Sequence, residues 1–419
     1  MKTTNSSSRR GLHPRTRFTN QIGWRWLLVG AVAACCPISS PGLGFRIPNQ
    51  DATATARGNA FAATADNPSA LYYNPAGITQ LDGQYFQVGL HMLSANSEFH
   101  SPAGTKSETK FEILPVPEFY YTARLKDTAW SFGLGVYATH GLGLQWPEGT
   151  PFRTLAVEGR LTYATINPVI AWQVDPTFSI AIGPTVNYSK TKLRNGIGFT
   201  PGDEFKFIGD DLAFGMTAGL LWKPCEQWAL GASYRLPTSL NYEGSSTQSP
   251  YSPAVHSSAK IDFPQTIIAG ISYRPTPKWN IEFDVDWTDW DVVNTLTFKN
   301  TATGDIPYPL NWKSSFLFEF GVTRYLPGGY FASGGYFFSG DSVTDKNFNP
   351  ILPDADLHVG SLGFGHKGEH WDWAISGQII TGPSRTISNS QSTSLVGESA
   401  DGRYHWFNQA VNVSLTYHF

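Results

Sequence analysis

Hydrophobic and polar residues alternate strictly along several segments of this chain. At the C-terminus, Val411, Val413, Leu415, Tyr417 and Phe419 share one parity, and every residue between them is polar. A period of two residues predicts a β-strand with one apolar and one polar face. The same alternation occurs over residues 129–137 and 279–290.

The segment 279–290 also distinguishes between two kinds of β-protein. Its polar face carries Glu282, Asp284 and Asp286. Three carboxylates on one strand face do not suit a dry sandwich core, but they suit the wet lumen of an outer-membrane barrel whose aromatic face meets lipid. A soluble exported sandwich gives the same alternation, so the pattern alone leaves both open. The terminal Phe419 and the high aromatic content favour the barrel.

Turn-forming residues divide the chain into short and long connections. Six short turns alternate with seven longer polar stretches, and this rhythm predicts fourteen strands. The expected fold class is therefore all-β: a transmembrane antiparallel β-barrel with short periplasmic turns and longer outer loops. The short turns are expected at 126–127, 175–176, 224–226, 275–278, 327–329 and 367–369, and the longer stretches at about 95–110, 139–158, 191–211, 242–257, 300–310, 341–355 and 384–403.

The N-terminus has the layout of an export signal. Six basic residues and no acid occur before residue 45, an apolar run covers 26–36, and a small-residue stretch covers 39–44. Residues 1–44 are predicted to be a secretory signal peptide, with a lipoprotein signal at Cys35 as the alternative. Its removal leaves 24 basic and 33 acidic residues, a net charge of −9, and Cys225 as the one cysteine. This acidic balance argues against a nucleic-acid partner, and a single cysteine excludes an intrachain disulfide.

Residues 45–82 do not follow the strand pattern. The stretch from Asp51 to Asp66 is rich in alanine and predicts a short helix capped by Asn49 or Asp51. Two Asn-Pro steps then break the chain. The segment can hang in the periplasm as a solvated arm or fold into the lumen as a plug. Its small side chains and few charges favour an N-terminal plug (hatch) with short helices inside the lumen, followed by a barrel over 83–419.

Eight short segments together resemble one known family. In order along the chain, they resemble segments of the FadL/TodX-type outer-membrane transporters of long-chain fatty acids and aromatic hydrocarbons. Thr139 or His140 stands where that family often has proline. The segments are Gly44–Gly58, Asn74–Gly77, Tyr137–Gly143, Ile166–Pro168, Ser233–Arg235, Phe263–Pro264 with Trp287–Trp290, Asn311–Lys313 and Leu352–Asp356.

The resemblance implies a fourteen-stranded barrel plugged by an N-terminal hatch. A hydrophobic ligand would be captured by outer loops, pass to an interior pocket and leave sideways into the bilayer through a gap at a kink in the third strand. Asn74, Pro75 and Ala76 would form the hatch motif.

The resemblance also implies individual site residues. Gly133 and Gly135 on the third strand would form the lateral gap, although glycine there also relieves crowding against a plug. Lys313 and Lys190 are candidate partners of a ligand carboxylate, and Phe45 would line the interior pocket. Simple alternation puts Lys190 on the apolar face of its strand, so it requires a register break or a place above the membrane.

Other function classes are weaker. The sequence has no Gly-x-Ser-x-Gly elbow and no P-loop glycine motif, and after removal of the signal it has no cysteine pair. No enzyme, cofactor or metal is therefore expected. Passive uptake of hydrophobic compounds is expected, with long-chain fatty acids as first choice. The alternatives are aromatic hydrocarbons, a general diffusion porin and a barrel-borne lipid-modifying enzyme. The expected partners are the hydrophobic ligand, outer-membrane lipid and the barrel assembly machinery, which would read Phe419.

Overall fold

The computed structural model describes residue 1, residues 43–392 and residues 396–419. The predicted signal peptide, including Cys35, lies outside the described residues except for Met1, Leu43 and Gly44. No helix in the described ranges is long and apolar enough to cross a membrane.

Twenty-two β-strands lie in the part of the chain that the structure describes. They are β1 (Gln84–Ala95), β2 (Ser97–His100), β3 (Lys106–Glu108), β4 (Glu112–Arg124), β5 (Trp130–Tyr137), β6 (Leu142–Gln145), β7 (Glu158–Asp175), β8 (Phe178–Asn195), β9 (Glu204–Cys225), β10 (Trp228–Arg235), β11 (Thr238–Ser249), β12 (Ser252–Phe263), β13 (Thr266–Thr276), β14 (Trp279–Thr288), β15 (Thr295–Thr301), β16 (Gly304–Pro309), β17 (Ser315–Tyr325), β18 (Tyr330–Ser339), β19 (Leu357–Lys367), β20 (Trp371–Thr381), β21 (Arg385–Ile387) and β22 (Gly402–His418).

The strands close into an antiparallel barrel of fourteen staves, which confirms the predicted fold class. The last strand, β22, pairs with β1, from Tyr85 opposite His418 to Leu93 opposite Ala410. Five staves consist of two consecutive strands each: β5 with β6, β10 with β11, β12 with β13, β14 with β15, and β16 with β17. The small strands β2, β3 and β21 pair beside the end of β22.

The alternation in the sequence corresponds to the two faces of the barrel wall. On β22, Val411, Val413 and Leu415 are exposed on the outer face, while Asn412 and Ser414 are buried in the lumen. Aromatic side chains stack outside near the short turns, with ring centroids 5.6 Å apart for Trp130 and Trp172 and 4.4 Å apart for Trp228 and Tyr273. Such a girdle is typical of a membrane interface.

The connections follow the predicted order but not always the predicted form. All six predicted short turns join consecutive strands. The loop expected at 242–257 is instead a hairpin, because β11 continues to Ser249 and β12 begins at Ser252. This expectation was wrong because the strands extend past the membrane, where both faces are polar and alternation disappears.

The N-terminal segment folds into the lumen. It contains an α-helix over Ala52–Ala56, a second over Ala70–Tyr73 and a 3₁₀ helix over Pro75–Gln80. The first helix is capped by Asp51, whose side chain accepts a hydrogen bond from the Ala54 amide at 3.0 Å. It is shorter than predicted because Gly58 adopts a left-handed conformation (φ 61°) against the backbone of Tyr336. We call residues 43–81 the plug segment.

Candidate functional site

The acidic face of β14 holds the plug segment in place. Asp284 Oδ2 accepts hydrogen bonds from the backbone amides of Phe61 and Ala62, both at 2.8 Å. Glu282 pairs with the Arg57 guanidinium at 2.8 Å and accepts a hydrogen bond from the Ala63 amide at 2.7 Å. These carboxylates were expected to face a wet lumen. They do face the lumen, but they are buried against the plug because its backbone amides replace water as their donors.

A third carboxylate of the same face fixes the start of the plug segment. Asp286 forms an ion pair with Arg46, with 2.5 Å between Oδ2 and Nη2, and Arg46 Nη1 also donates to the Thr288 hydroxyl at 2.8 Å. Both side chains of the pair are buried. A buried charge is tolerated only when it is paired, so removing either partner is expected to release this end of the segment.

The Asn74–Pro75–Ala76 motif joins the plug segment to the wall and to itself. The Asn74 side-chain amide donates to the carbonyl of Ala62 at 2.7 Å and to that of Leu220 on β9 at 2.9 Å. Its Oδ1 accepts from the Ala76 amide at 3.2 Å and so caps the 3₁₀ helix. The motif therefore has a structural role at the wall, and the hatch role that the family resemblance implies stays a prediction.

The third stave of the barrel is interrupted between β5 and β6, over residues 138–141. The plug segment pairs with this interruption. The Ile47 amide donates to the Thr139 carbonyl at 2.9 Å, and the Gly141 amide donates to the Phe45 carbonyl at 2.7 Å. The segment 45–47, which includes Phe45 and Arg46, is thus hydrogen-bonded to the strand break.

Beside this break, part of β4 lacks a hydrogen-bonded neighbour on one side within the described residues. The pairing of β4 with β5 extends from Arg124 opposite Ser131 to Phe119 opposite Val136. Within the described residues, positions 112–118 of β4 pair with β1 alone. Two of them, Pro115 and Pro117, have no amide donor, and proline is tolerated at a strand edge for this reason. The structure therefore has a lateral discontinuity between β4 and the broken third stave.

The two glycines predicted for the lateral gap lie next to the break rather than in it. A Cβ atom at Gly133 would meet Leu71 Cδ2 of the plug segment at 2.4 Å. A Cβ atom at Gly135 would meet the Tyr137 ring at 2.8 Å. Close approach of the plug explains Gly133 directly, which is the simpler of the two interpretations that the sequence allowed. The gap role of both glycines stays a prediction.

A cavity of about 320 Å³ lies between the plug segment and the outer loops. This volume is within the range of small-molecule sites. Fifteen of the lining residues are apolar, and eight are polar or charged. The apolar lining consists of Phe45, Leu142, Leu155, Leu161, Leu193, Ile261, Val292, Val293, Leu296, Phe298, Tyr308, Leu310, Trp312, Ile351 and Leu352. We call it the apolar pocket.

Phe45 lies in the lining of the apolar pocket, and its role in ligand binding stays a prediction from the resemblance. Its ring centroid is 4.8 Å from that of Trp290, 5.3 Å from those of Phe263 and Trp312, and 5.7 Å from that of His140. Three of these four contacts are edge-to-face, the arrangement that aromatic quadrupoles favour. The beginning of the plug segment thus belongs to an aromatic cluster that borders the pocket on one side and the strand break on the other.

The charged residues of the pocket are paired. Lys260 Nζ lies 2.9 Å from Asp262 Oδ1. Arg194 contacts Glu148 at 2.5 Å, Glu204 at 3.2 Å and Glu158 at 3.3 Å. Burial pushes the pKa of Glu148, in the outer loop, upward, but hydrogen bonding and the positive charge of Arg194 outweigh it and hold that pKa below its ordinary value.

The two lysines predicted to meet a ligand carboxylate lie outside the pocket lining. Lys313 precedes β17, is exposed, and forms an ion pair with Asp341 at 2.6 Å. It is adjacent in sequence to Trp312, which does line the pocket. Lys190 is exposed and has the same parity on β8 as the outward-facing Ile182, because the ladder to β9 continues without a register shift. No register break brings Lys190 into the lumen.

Sequence reasoning missed several of the residues that organise the site. Arg46 and Arg57 could not be identified from the sequence, because an isolated arginine in an alanine-rich segment belongs to no hydrophobic or polar periodicity. The acidic parity of β14 was the one available signal, because a lumen face with three carboxylates needs donors nearby.

Comparisons with known proteins agree with this architecture. A family model described as outer membrane protein transport protein (OMPP1/FadL/TodX) matches residues 33–419. The long-chain fatty acid transport protein of Escherichia coli O6:H1 is 22% identical over 344 residues, which cover 70% of this chain and 76% of that protein. The crystal structure of a Pseudomonas aeruginosa FadL homologue has a TM-score of 0.81 at 17% identity and covers 90% of this chain and 100% of that chain.

The crystal structure of the Pseudomonas putida toluene transporter TodX has a TM-score of 0.70 at 15% identity and covers 90% of this chain and 99% of that chain. At such identities the structural likeness concerns the fold. The family match confirms the resemblance seen in the sequence, the location in the outer membrane and the class of transport protein rather than enzyme.

Proposed function

Because the chain belongs to the OMPP1/FadL/TodX family of outer membrane transport proteins, we propose that it carries hydrophobic compounds passively across the outer membrane, with long-chain fatty acids as the leading class. The observation that supports this most directly is the apolar pocket. It lies on the outer-loop side and ends at Phe45, and the backbones of Phe45 and Ile47 are hydrogen-bonded to the strand break.

The proposed route has three stages. A ligand first leaves water at the outer loops and buries its apolar surface in the pocket. It then displaces Phe45 from its aromatic cluster. Displacement of Phe45 breaks the hydrogen bonds to Thr139 and Gly141, so the strand break loosens beside the edge of β4 that lacks a partner. The ligand leaves sideways through this discontinuity into the bilayer.

No energy source is required for this route. Each buried methylene contributes about 0.8 kcal/mol, and the bilayer offers a similar or larger gain than the pocket. The protein lowers the barrier because it carries the alkyl chain past the polar surface of the membrane. In this scheme, Lys313 stays a candidate for first contact with a carboxylate at the rim, where it must separate from Asp341.

Aromatic hydrocarbons are the second candidate class. The cations of the pocket, Arg194 and Lys260, are each paired with carboxylates, so the pocket suits a neutral ligand as well as an acid. The TodX neighbour is named a toluene transporter. This alternative predicts that toluene competes with a fatty acid for the apolar pocket.

A chain-length series tests the proposal. The purified chain in detergent is titrated with saturated fatty acids of increasing length. Each added methylene should lower Kd by about fourfold until the pocket is filled. Leu296→Gln, inside the pocket, should weaken this dependence, while Val396→Gln, at an exposed loop position, should leave it unchanged. A Kd that does not vary with chain length in the unmodified chain would refute hydrophobic transport and favour a porin.

A further inference from the structure

One cation of the lumen face differs from its neighbours. Arg235 ends β10 opposite Thr217 of β9 and Thr266 of β13, and both of these threonines are buried in the lumen. Paired residues of an antiparallel ladder point to the same face, so Arg235 also points inward. Its side chain is partly exposed there.

Arg235 has no carboxylate partner. In the ranges 43–392 and 396–419, no carboxylate oxygen lies within 4.0 Å of its guanidinium nitrogens, whereas Arg46 and Arg57 in the same lumen pair with Asp286 and Glu282. Its one hydrogen bond within the described residues is a long one, 3.4 Å from Nη1 to the Tyr137 hydroxyl. A guanidinium carries five N–H donors, so most of its donor capacity is unused.

Two tyrosine rings hold the guanidinium instead. Its Cζ lies 5.3 Å from the ring centroid of Tyr72 and 5.5 Å from that of Tyr137. Stacking on ring faces stabilises the charge through the ring quadrupoles. Within the described residues, the one hydrogen bond to Tyr137 leaves the other N–H donors of the group available. A planar fork of this kind matches a carboxylate in two parallel hydrogen bonds.

The position of this group connects the two parts of the proposed route. Tyr137 is the last residue of β5 before the strand break. The Tyr72 hydroxyl donates to the Ile47 carbonyl at 3.2 Å, and Ile47 belongs to the residues that hold the break closed. Arg235 therefore lies on the lumen side, next to the β5 end of the strand break and to the part of the plug segment that bonds to it.

We propose that Arg235, packed against the rings of Tyr72 and Tyr137, is a carboxylate-binding site at the inner side of the lateral discontinuity, where it receives the head group of an amphiphilic ligand whose alkyl chain lies in the apolar part of the route. The inference rests on the proposed transport function and deepens it. It assigns acid selectivity to the exit rather than to the pocket, whose cations are already paired.

The first experiment compares palmitate with methyl palmitate on the full mature chain in detergent. Arg235→Gln should raise Kd for palmitate by about ten- to a hundredfold, because a hydrogen-bonded charge is lost. Kd for methyl palmitate should not change. Arg235→Lys should retain most of the preference for the acid. Arg324→Gln is the matched control, since Arg324 also stacks on an aromatic ring, Trp279 at 4.8 Å, but far from the lumen route.

The second experiment needs no mutation. Phenylglyoxal modifies accessible arginines, and peptide mass spectrometry locates the product. Saturating palmitate should protect Arg235, methyl palmitate should not, and Arg324 should react equally in every case. Each variant is used only if it shows the heat-modifiable mobility of the folded barrel.

The results separate the two proposals. If the unmodified chain binds neither ligand, the transport function fails. If it binds both but Arg235→Gln weakens them equally or weakens neither, the carboxylate site is refuted and the transport function stands. Bound palmitate that leaves Arg235 open to phenylglyoxal also refutes the site.

Discussion

A methyl group added at position 133 should disturb the plug rather than the barrel wall. The Cβ of Gly133→Ala would lie 2.4 Å from Leu71 Cδ2, 3.0 Å from Cδ1 and 3.1 Å from Cγ. Favourable carbon contacts require about 3.5–4.0 Å, so one side must move by about 1 Å. Leu71 is fully buried in the plug core, so its movement must displace neighbouring side chains. Overpacking of this kind costs about 1–3 kcal/mol.

The readout is hydrogen exchange of peptides from residues 45–82, measured by mass spectrometry on the folded chain. Exchange through local opening reports the free energy that holds the segment closed. A loss of 1–3 kcal/mol should accelerate it by roughly five- to 150-fold. Gly377→Ala is the matched control, because a Cβ there meets nothing within 4 Å.

A double substitution identifies the cause. Leu71→Ala alone leaves a cavity and should cost about 2–5 kcal/mol. In the double variant, the methyl group added by Gly133→Ala occupies part of that cavity. The double variant should therefore exchange more slowly than expected from adding the free-energy losses of the two single variants. Unchanged exchange in Gly133→Ala, or strict additivity, would refute the packing argument. Altered ligand release with an undisturbed plug would favour the predicted gap role of Gly133.

Three further predictions concern the outer loops, assembly and topology. Burial raises the Asp203 pKa, but hydrogen bonds from the amides of Gly198, Thr200 and Phe199 outweigh it and lower that pKa well below its ordinary value. Asp203→Asn should therefore speed proteolysis of the 196–203 loop at pH 7. The difference between the two chains should fade only below about pH 4, as the carboxylate is protonated, and a difference that fades near neutrality would contradict this. Deletion of Phe419 should reduce the folded, heat-modifiable barrel without reducing synthesis, and unchanged folding would exclude a role for this residue in assembly. Protease outside intact cells should cut within 196–203 or 384–403 and never at 126–127, where cleavage would invert the barrel.

The barrel wall was predictable because lipid and lumen impose opposite demands on successive residues. On β14, Phe283 faces lipid while Asp284 faces the lumen, and a period of two residues records this difference directly. The same reasoning fails at the outer ends of β11 and β12, where even the buried face carries polar residues such as Ser246, Gln248 and Ser257. There the chain keeps its ladder while its alternation disappears, so a hairpin was taken for a loop.

The plug and the site depend on contacts that no local pattern contains. Lys313 follows the family pattern, yet its ammonium group meets Asp341, because the chain before β17 turns to the outer rim. Arg235 has the same parity as other inward residues of β10, and only the fold reveals that it lacks a carboxylate partner among the described residues, while Arg46 and Arg57 have theirs. A parity argument identifies which charges enter a lumen, but it does not identify which of them are neutralised there. The charge left without a partner is the one that can select a ligand, since a paired charge must first give up its partner and therefore contributes less to binding.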